Sequence, residues 1–225
     1  MQEELQKIDA GRAAEVGPAG SIMKRTMDIL VSGAGLIVLS PVFLAIWAAI
    51  RLEGPGKAIF SQERIGLHGK PFTLFKFRSM VPDAEHDGVP ALCGETDNRL
   101  TKVGAFIRHH HLDELPQLFN IFVGDMAVIG PRPALWNQFD LIEERDKYGA
   151  NDVRPGLTGW AQIHGRDELE IDVKAKLDGY YVQHMSFWMD VKCFFGTIAS
   201  VIRSEGVVEG GTGTIHAKEK QDGKK

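Results

Sequence analysis

The sequence predicts a mostly helical α+β protein with an N-terminal membrane helix, a small antiparallel β element and amphipathic helices. Three observations carry this prediction. Residues 29–50 form a run of 22 residues without a charge, which as a helix would span about 33 Å, close to the hydrocarbon thickness of a bilayer. Two short apolar and polar stretches, 57–65 and 71–78, flank a turn at 67–70 and read as a strand pair. Residues 186–204 place their apolar side chains at amphipathic helical spacing.

Composition excludes several classes of protein. The chain has 225 residues, 44% hydrophobic and 25% charged, which suits one sizeable domain or a small domain with an anchor. A net charge of -4 argues against a general nucleic-acid binder, and no nucleic-acid partner is expected. A mean hydropathy of -0.13 argues against a multi-pass membrane protein. Two cysteines, Cys93 and Cys193, make no disulfide framework and fit a reducing compartment.

The uncharged run is best interpreted as a membrane segment. It is too long for the apolar region of a signal peptide, and a buried core helix rarely stays uncharged over such a length. Ser40-Pro41 lies in its middle. Proline removes a backbone donor and clashes with the carbonyl four residues earlier, so the helix should bend there. The Ser40 hydroxyl can then satisfy a freed carbonyl.

Charge on the flanks bears on the topology of this segment. Basic residues stand on both sides: Lys24 and Arg25 before the run, and Arg51, Lys57 and Arg64 after it. Because positive charge marks the cytoplasmic side, two basic ends favour a helix that enters and leaves the same leaflet. A kinked ordinary span remains open on charge alone. Asp28 is placed to pair with Lys24 or Arg25 one helical turn back.

The remaining elements follow from turn signals and periodicity. Residues 83–98 are rich in Asp, Gly and Pro and predict a loop. The apolar side chains of residues 186–204 are most simply interpreted as packing in the core. The alternative is that some of them lie in a membrane interface. The other predicted elements are helices at about 100–110, 116–123, 134–148 and 167–183, a short strand in 125–130, and a turn-rich stretch with a short strand in 153–165.

The most informative chemical feature is the stretch Leu-Asp-Glu-Leu-Pro-Gln at 112–117. Proline suits the first position of a helix and disfavours helical geometry in the residue before it, so a helix should begin at Pro116. Asp113 and Glu114 then lie just ahead of a helix N-terminus, whose dipole keeps carboxylates ionised. An ionised carboxylate can be a nucleophile or a metal ligand. Simple charge complementarity with the helix is the alternative.

Cations around this acidic pair suggest phosphate recognition. Guanidinium groups held in rigid turns bind phosphate bidentately, although any one of them can equally be a solvated surface charge. Two carboxylates among such cations also suggest Mg²⁺, which is commonly held by carboxylates together with substrate phosphates. The candidates for substrate binding are Arg108, Arg132, Lys76, Arg78 and Arg154.

Three adjacent histidines, His109, His110 and His111, need a separate interpretation. Neighbouring residues on a helix point about 100° apart, so all three cannot face one ion. No partner set for zinc accompanies them, and they are read as surface or pocket lining. The sequence also lacks the Walker A, GxGxxG and GxSxG motifs. The chemistry that remains after these exclusions is phosphoryl transfer by an acidic pair beside a membrane.

Taken together, these segments resemble the bacterial sugar transferases known as monotopic phosphoglycosyl transferases. The resemblance covers nearly the whole chain, from residue 24 to about 208. The matching residues are Lys24-Arg25 with Asp28, Ser40-Pro41, FKFRSM (75–80), RLTKVGAFIR (99–108), LDELPQLFNIFVGDM (112–126), GPRP (130–133) and VRPGLTGWAQIHGR (153–166). Many relatives carry a small hydroxyl residue where this chain has His111.

The resemblance implies a fold and a location. Members have a re-entrant membrane helix broken at Ser-Pro, and their other helices rest on the interface. The implied organisation is a polar tail (1–21), a re-entrant helix (22–52), a catalytic domain facing the cytoplasm (53–208) and a second polar tail (209–225). The expected location is the inner leaflet of the bacterial cytoplasmic membrane, and a homodimer is a further expectation.

The resemblance also implies a reaction. Asp113 matches the family's nucleophile, which attacks the β-phosphate of a UDP-sugar, releases UMP and keeps the phosphosugar. Undecaprenyl phosphate then collects the phosphosugar, which starts the assembly of a capsule, exopolysaccharide or other glycan. Glu114 matches the nucleophile's partner, whose role in metal binding, orientation or proton handling stays open at this point. Mg²⁺ is the implied cofactor, with Asp113 and Glu114 as its candidate ligands. Short members often use N-acetylated amino sugars, so a UDP-HexNAc or a deoxy derivative is the expected donor.

Two other functions compete with this one. A membrane-anchored scaffold could keep the fold without turnover, but the intact Asp113-Glu114 pair argues against it. A soluble glycosidase would also use paired carboxylates. Adjacent carboxylates do not by themselves supply an acid and a base on opposite sides of a sugar, and the membrane segment would have no purpose.

Overall fold

The structure, a computed structural model, describes residues 18–82, 99–165 and 169–203. The predicted loop at 83–98 and most of the two polar tails lie outside these residues. The described part is mostly helical, with two small sheets, as the predicted fold class requires. The helices are α1 (Pro18–Val38), α2 (Ser40–Glu53), α3 (Lys102–His109), α4 (Gln117–Val123), α5 (Phe139–Asp146), α6 (Trp160–Ile163), α7 (Ile171–Gln183) and α8 (Phe187–Arg203). The strands are β1 (Ile59–Ile65), β2 (Pro71–Phe77), β3 (Ala127–Ile129) and β4 (Gly156–Thr158).

The N-terminal apolar run folds as two helices that meet at the predicted break. Helices α1 and α2 are bent by 59°. Among the described residues no single helix is long and apolar enough to cross a bilayer, whereas this bent pair together has the necessary length and composition. The Ser40 hydroxyl donates to the Ile37 carbonyl at 2.7 Å, the carbonyl that Pro41 leaves without a helical donor. The predicted role of Ser40 is confirmed.

Charged residues of α1 attach this helix to the rest of the chain. Lys24 forms an ion pair with Asp190 of α8 at 2.6 Å. Arg25 donates to the carbonyls of Ile121 and Phe122 at the end of α4. The predicted pairing of Asp28 with Lys24 or Arg25 is wrong, because the buried Asp28 carboxylate accepts instead from the Val128 N–H of β3 at 2.9 Å. These contacts join residues 96 to 166 positions apart, which local spacing could not foresee.

The predicted strand pair is confirmed as an antiparallel hairpin. Strands β1 and β2 pair from Ile59↔Phe77 to Ile65↔Pro71. The buried amide of Asn120, on α4, holds this hairpin from the side, accepting from the Phe75 N–H at 3.1 Å and donating to the Thr73 carbonyl at 2.7 Å. Helix α4 is thereby fixed against β2, the strand that carries Lys76.

A second, parallel sheet forms where the sequence predicted two unrelated strands. Ala127 pairs with Gly156 and Ile129 with Thr158. The turn that follows β3 packs directly on the backbone beyond β4. A Cβ on Gly159 would lie 2.1 Å from the Gly130 carbonyl oxygen, so only glycine fits there. This close approach holds the Gly130-Pro131-Arg132-Pro133 turn in place.

The C-terminal helices complete the core and expose an aromatic face. Tyr181 of α7 and Met189 and Cys193 of α8 are buried in one cluster with Ile129. The other side of α8 is uncovered, and Trp188 is 71% exposed. Core packing was therefore the wrong interpretation for most of its apolar stripe. The exposed members are Phe187, Trp188, Phe194, Phe195 and Ile198.

One predicted helix is shorter than expected. The sequence predicted a helix over 134–148, whereas α5 covers only Phe139–Asp146. Residues 134–138 instead form an irregular connection after the proline-rich turn. Ala134 O accepts from Ile65 N at 2.9 Å, and Leu135 forms an isolated bridge with Arg64. Backbone pairing with the edge of β1 competes with helix formation there.

Candidate active site

The acidic pair lies on a single tight turn ahead of a helix. Residues Leu112–Glu114 form a 3₁₀ turn that leads through Pro116 into α4, so the predicted position of the carboxylates is confirmed. His111 precedes the turn with a left-handed backbone, φ 54°. Asp113 is buried, with 2% of the residue exposed. The Asp113 side chain is therefore removed from bulk water.

Glu114 brings two of the predicted cations together. Arg132 Nη2 lies 2.6 Å and Lys76 Nζ 3.2 Å from Glu114 Oε1, and Arg132 Nη1 lies 3.4 Å from Oε2. All three side chains are largely buried. Strand β2, the turn at 130–133 and the 3₁₀ turn that carries Glu114 therefore meet at one small charged centre. Two cations against one carboxylate leave a local positive charge next to Asp113, which suits a phosphate group.

The electrostatics of this centre keep Glu114 ionised. Burial by itself would raise the pKa of its carboxyl, but the charges and hydrogen bonds of Arg132 and Lys76 outweigh burial and hold that pKa well below its usual value of 4.5. The ion pairs formed by Glu114 are therefore present above the pKa of a free Glu and are lost only as the pH falls through the depressed native value. At neutral pH Glu114 cannot serve as an acid that donates a proton.

A buried ion pair supports the turn that carries Arg132. Arg145 of α5 donates through Nη1 to the Arg132 carbonyl at 2.9 Å. Its Nε and Nη2 donate to Asp178 Oδ2 of α7 at 2.8 and 2.6 Å. Only 3% of the Arg145 side chain and 1% of the Asp178 side chain are exposed. Sequence reasoning did not identify this pair, because its members lie 33 residues apart on helices without a recognisable motif.

The other predicted cations occupy different positions. Arg78 donates to the Ile50, Gly54 and Pro55 carbonyls, at the C-terminal end of α2. Arg154 donates through Nε to Gly124 O at 2.9 Å, beyond the end of α4. Arg108 is half-buried in the last turn of α3. The geometry thus assigns Arg78 and Arg154 to helix ends, while Lys76 and Arg132 meet the acidic pair.

Metal ligands are sparse in the described residues. No group of three or more His, Cys, Asp and Glu side chains comes together there. His109 and His110 are exposed, and the His110 ring is bonded to the Phe106 carbonyl of its own helix. Of the acidic pair, Glu114 is already neutralised by two cations, which makes it a weak metal ligand. Asp113 is the carboxylate that fits a Mg²⁺ shared with substrate phosphates.

A buried carboxylate beside two cations is an arrangement that suits phosphoryl transfer. Comparison with known proteins gives the family. The model of the bacterial sugar transferase family matches residues 19–204, and the chain belongs to that family. The predicted resemblance to the family of phosphoglycosyl transferases is confirmed.

Individual relatives cover the chain to different extents. The exopolysaccharide production protein ExoY of Rhizobium meliloti is 36% identical over 85% of this chain and 90% of its own length. The UDP-N-acetylgalactosamine-undecaprenyl-phosphate N-acetylgalactosaminephosphotransferase of Aeromonas hydrophila is 40% identical over 84% of this chain but only 46% of its own length. The UDP-glucose:undecaprenyl-phosphate glucose-1-phosphate transferase of Escherichia coli is 40% identical over 79% of this chain and 39% of its own length. The chain therefore spans less than half the length of several relatives.

Proposed function

We propose that this protein transfers a sugar 1-phosphate from a UDP-sugar to undecaprenyl phosphate and releases UMP, as the first step of glycan assembly. The observation that carries the proposal is the buried Asp113 beside Glu114, Lys76 and Arg132. The names of the relatives from Aeromonas hydrophila and Escherichia coli, which describe sugar-phosphate transfer from a UDP-sugar to undecaprenyl phosphate, support it. The proposed donor is a UDP-linked N-acetylhexosamine or a deoxy derivative of one.

The proposed reaction has two displacements at one phosphorus atom. In the first, an Asp113 carboxylate oxygen attacks the β-phosphorus, the bond to the bridging oxygen breaks, and UMP leaves with that oxygen. In the second, a phosphate oxygen of undecaprenyl phosphate attacks the same phosphorus and the acyl phosphate bond breaks, which regenerates the Asp113 carboxylate. Splitting the transfer into two steps is the general advantage of covalent catalysis.

Each charged residue has a proposed part in these steps. Arg132 and Lys76 balance charge on the diphosphate, and Glu114 fixes both cations in position through its ion pairs. Asp113 would hold a Mg²⁺ together with the substrate phosphates. When bound, this ion neutralises phosphate charge and favours departure of UMP.

Release of UMP tests the function directly. The protein is held in a nanodisc with Mg²⁺ and undecaprenyl phosphate, and UMP is measured for a panel of UDP-sugars that includes glucose, galactose and N-acetylhexosamine donors. We expect UMP from at least one N-acetylated donor and no release after chelation of Mg²⁺. No UMP with any donor would favour the scaffold function, whereas release only with glucose or galactose would refute the proposed donor class.

We also propose that α1 and α2 form a re-entrant hairpin in the inner leaflet of the cytoplasmic membrane. Apolar side chains of both helices have no protein covering them, with Leu52 88%, Ile37 76% and Leu44 68% exposed. Contact between so much apolar surface and water is unfavourable, and a lipid environment removes that contact. With both helices lying obliquely in the leaflet, the 59° bend lets the second helix return toward the side from which the first one entered.

Labelling of single cysteines tests this topology. In a background with Cys93→Ser, the substitutions Ser21→Cys and Lys57→Cys place thiols at exposed positions near the two ends of the hairpin. A reagent that does not cross membranes should leave both unlabelled in intact cells and label both in inverted vesicles. Labelling of either position from outside the cell would show a spanning segment instead. The parent background checks that the buried Cys193 stays silent.

A further inference from the structure

An apolar groove lies between the first half of α1 and the first half of α8. Its volume is about 320 Å³, within the range of about 300 to 1,000 Å³ that is usual for ligand sites. Most of the lining is apolar, with Met23 and Met27 on α1 and Val191 and Phe195 on α8. Methionine side chains adapt to irregular apolar partners. The groove therefore suits a flexible hydrocarbon chain.

A polar cavity of about 310 Å³ lies next to this groove. Lys24, Asp28, Ile129 and Met185 line both cavities. The polar cavity also reaches Ser21 at the start of α1, which in the proposed hairpin is the part of the helix nearest the bilayer surface. A polar and an apolar compartment side by side match the two parts of a phospholipid, its charged headgroup and its acyl chain.

Two guanidinium groups line the polar cavity and are held at one place. Arg25 donates to the carbonyls of Ile121 and Phe122, and Arg154 donates through Nε to the carbonyl of Gly124. These carbonyls stand at the C-terminal end of α4 and carry only partial negative charge, so both guanidiniums keep their positive charge. Arg154 is exposed, and its bonds within the described residues leave Nη1 and Nη2 available. Such a fork can bind two phosphate oxygens.

The carboxylates around the two cavities are engaged elsewhere. Asp190 pairs with Lys24 at 2.6 Å, and Asp28 accepts from the backbone of β3. Asp152 lies 3.4 Å from the His68 ring, and 55% of its side chain is exposed to solvent. In the part of the chain that the structure describes, the charges left for a ligand are those of the two guanidiniums. They favour an anionic group such as a phosphate.

A phosphate at these guanidiniums is too far from Asp113 to react with it. Arg154 binds beyond the C-terminal end of α4, whereas Asp113 precedes the N-terminal end. The seven residues of α4 separate the two by about 10 Å, at about 1.5 Å per residue. Reacting atoms must approach to about 3.5 Å. Within the described residues, neither Asp113 nor Arg132 lines either cavity, which favours a resident lipid over the reacting acceptor.

We propose that a membrane phospholipid occupies these two cavities, with its phosphate at Arg25 and Arg154 and one acyl chain in the groove between α1 and α8. The inference rests on the proposed placement of α1 and α2 in the bilayer and does not depend on the proposed reaction. Such a lipid joins the hairpin to α8 and to the end of α4. It also covers exposed apolar side chains that line the groove, such as Phe187 and Phe195.

Photocrosslinking in nanodiscs tests this site. The protein is irradiated with a phosphatidylglycerol that carries a diazirine on one acyl chain, and the labelled peptides are identified by mass spectrometry. Labels should concentrate in residues 20–31 and 185–195, the segments of the two helices and their connection that line the groove. A diacylglycerol with the same chains has no phosphate. It should label these segments about tenfold less, because it cannot form the charge-assisted bonds.

Matched variants separate the site from general contact with the bilayer. Val191→Trp fills the groove and Arg154→Gln removes a charge from the polar cavity, and each should lower labelling by the phospholipid by about tenfold. Ile198→Trp adds bulk at an exposed position of α8 outside the groove. Lys192→Gln removes an exposed charge that lines neither cavity. Both controls should retain the labelling of the parent protein, and melting curves in the same nanodiscs show whether each variant is folded.

The outcomes distinguish this inference from the proposed reaction. Equal labelling by the phospholipid and the diacylglycerol, or labelling that is the same in both site variants as in both controls, would overturn it. Loss of labelling on addition of undecaprenyl phosphate would also overturn it, because the site would then belong to the acceptor. Labelling requires no turnover. A protein that shows the expected labelling but releases no UMP would count against the proposed reaction alone.

Discussion

Asp113→Asn is expected to lower UMP release by at least about a thousandfold, because an amide cannot replace the carboxylate oxygen that attacks the β-phosphorus. The substitution keeps the size of a side chain that is 2% exposed, so the fold should be preserved. With a UDP-sugar and no acceptor, the wild-type protein should gain the mass of one phosphosugar in intact-protein mass spectrometry. The variant should gain none.

A matched exposed residue controls for the loss of a negative charge. Asp152→Asn changes an aspartate whose side chain is 55% exposed and which contacts only His68 in the ion pairs of the described residues. It should turn over at the parent rate and form the same adduct. An Asp113→Asn protein that retained the adduct or the parent rate would remove Asp113 as the nucleophile, whatever the fate of the overall reaction.

The parts of the site that are local in sequence could be predicted. Asp113 and Glu114 stand beside a proline that determines where a helix begins, so their position followed from neighbouring residues alone. The bend at Ser40 and the bond from its hydroxyl to Ile37 followed from the covalent structure of proline in the same way. Each of these features depends on contacts within one helical turn.

Features that depend on distant contacts could not be predicted in the same way. Arg132 and Arg154 both lie in turns next to proline, and nothing in the sequence tells a guanidinium that meets an acidic side chain from one that meets a helix end. Arg132 reaches Glu114, 18 residues away, whereas Arg154 reaches Gly124, 30 residues away. The fold decides which partner lies within reach of each side chain.

The same limit applies to the amphipathic helix α8. Its pattern specifies an apolar stripe but does not say whether protein or lipid covers it. In the structure Met189 and Cys193 face the core, whereas Trp188 and Phe195 remain exposed. The apolar surface is wider than the protein can cover. Spacing alone therefore gave the correct helix and the wrong environment for much of its apolar surface.

Arg145→Met is expected to lower the free energy of unfolding by about 3 to 5 kcal/mol, because it leaves the buried Asp178 carboxylate without its main partner. Burial already raises the pKa of Asp178, opposed by Arg145 and by Lys174. Without Arg145 this pKa should rise further. A carboxyl with a raised native pKa stabilises the fold when protonated, so the loss should be smallest below about pH 4 and grow as the pH rises through the native value.

The double variant Arg145→Met, Asp178→Leu separates folding from catalysis. Replacing both members of a buried ion pair with apolar residues is often nearly neutral for stability, so most of the lost free energy should return and its pH dependence should disappear. The bond from Arg145 to the Arg132 carbonyl is still missing. If that bond positions Arg132 for the diphosphate, KM for the UDP-sugar should stay raised by about tenfold in the single and the double variant. Recovery of KM together with stability would show that Arg145 serves the fold alone.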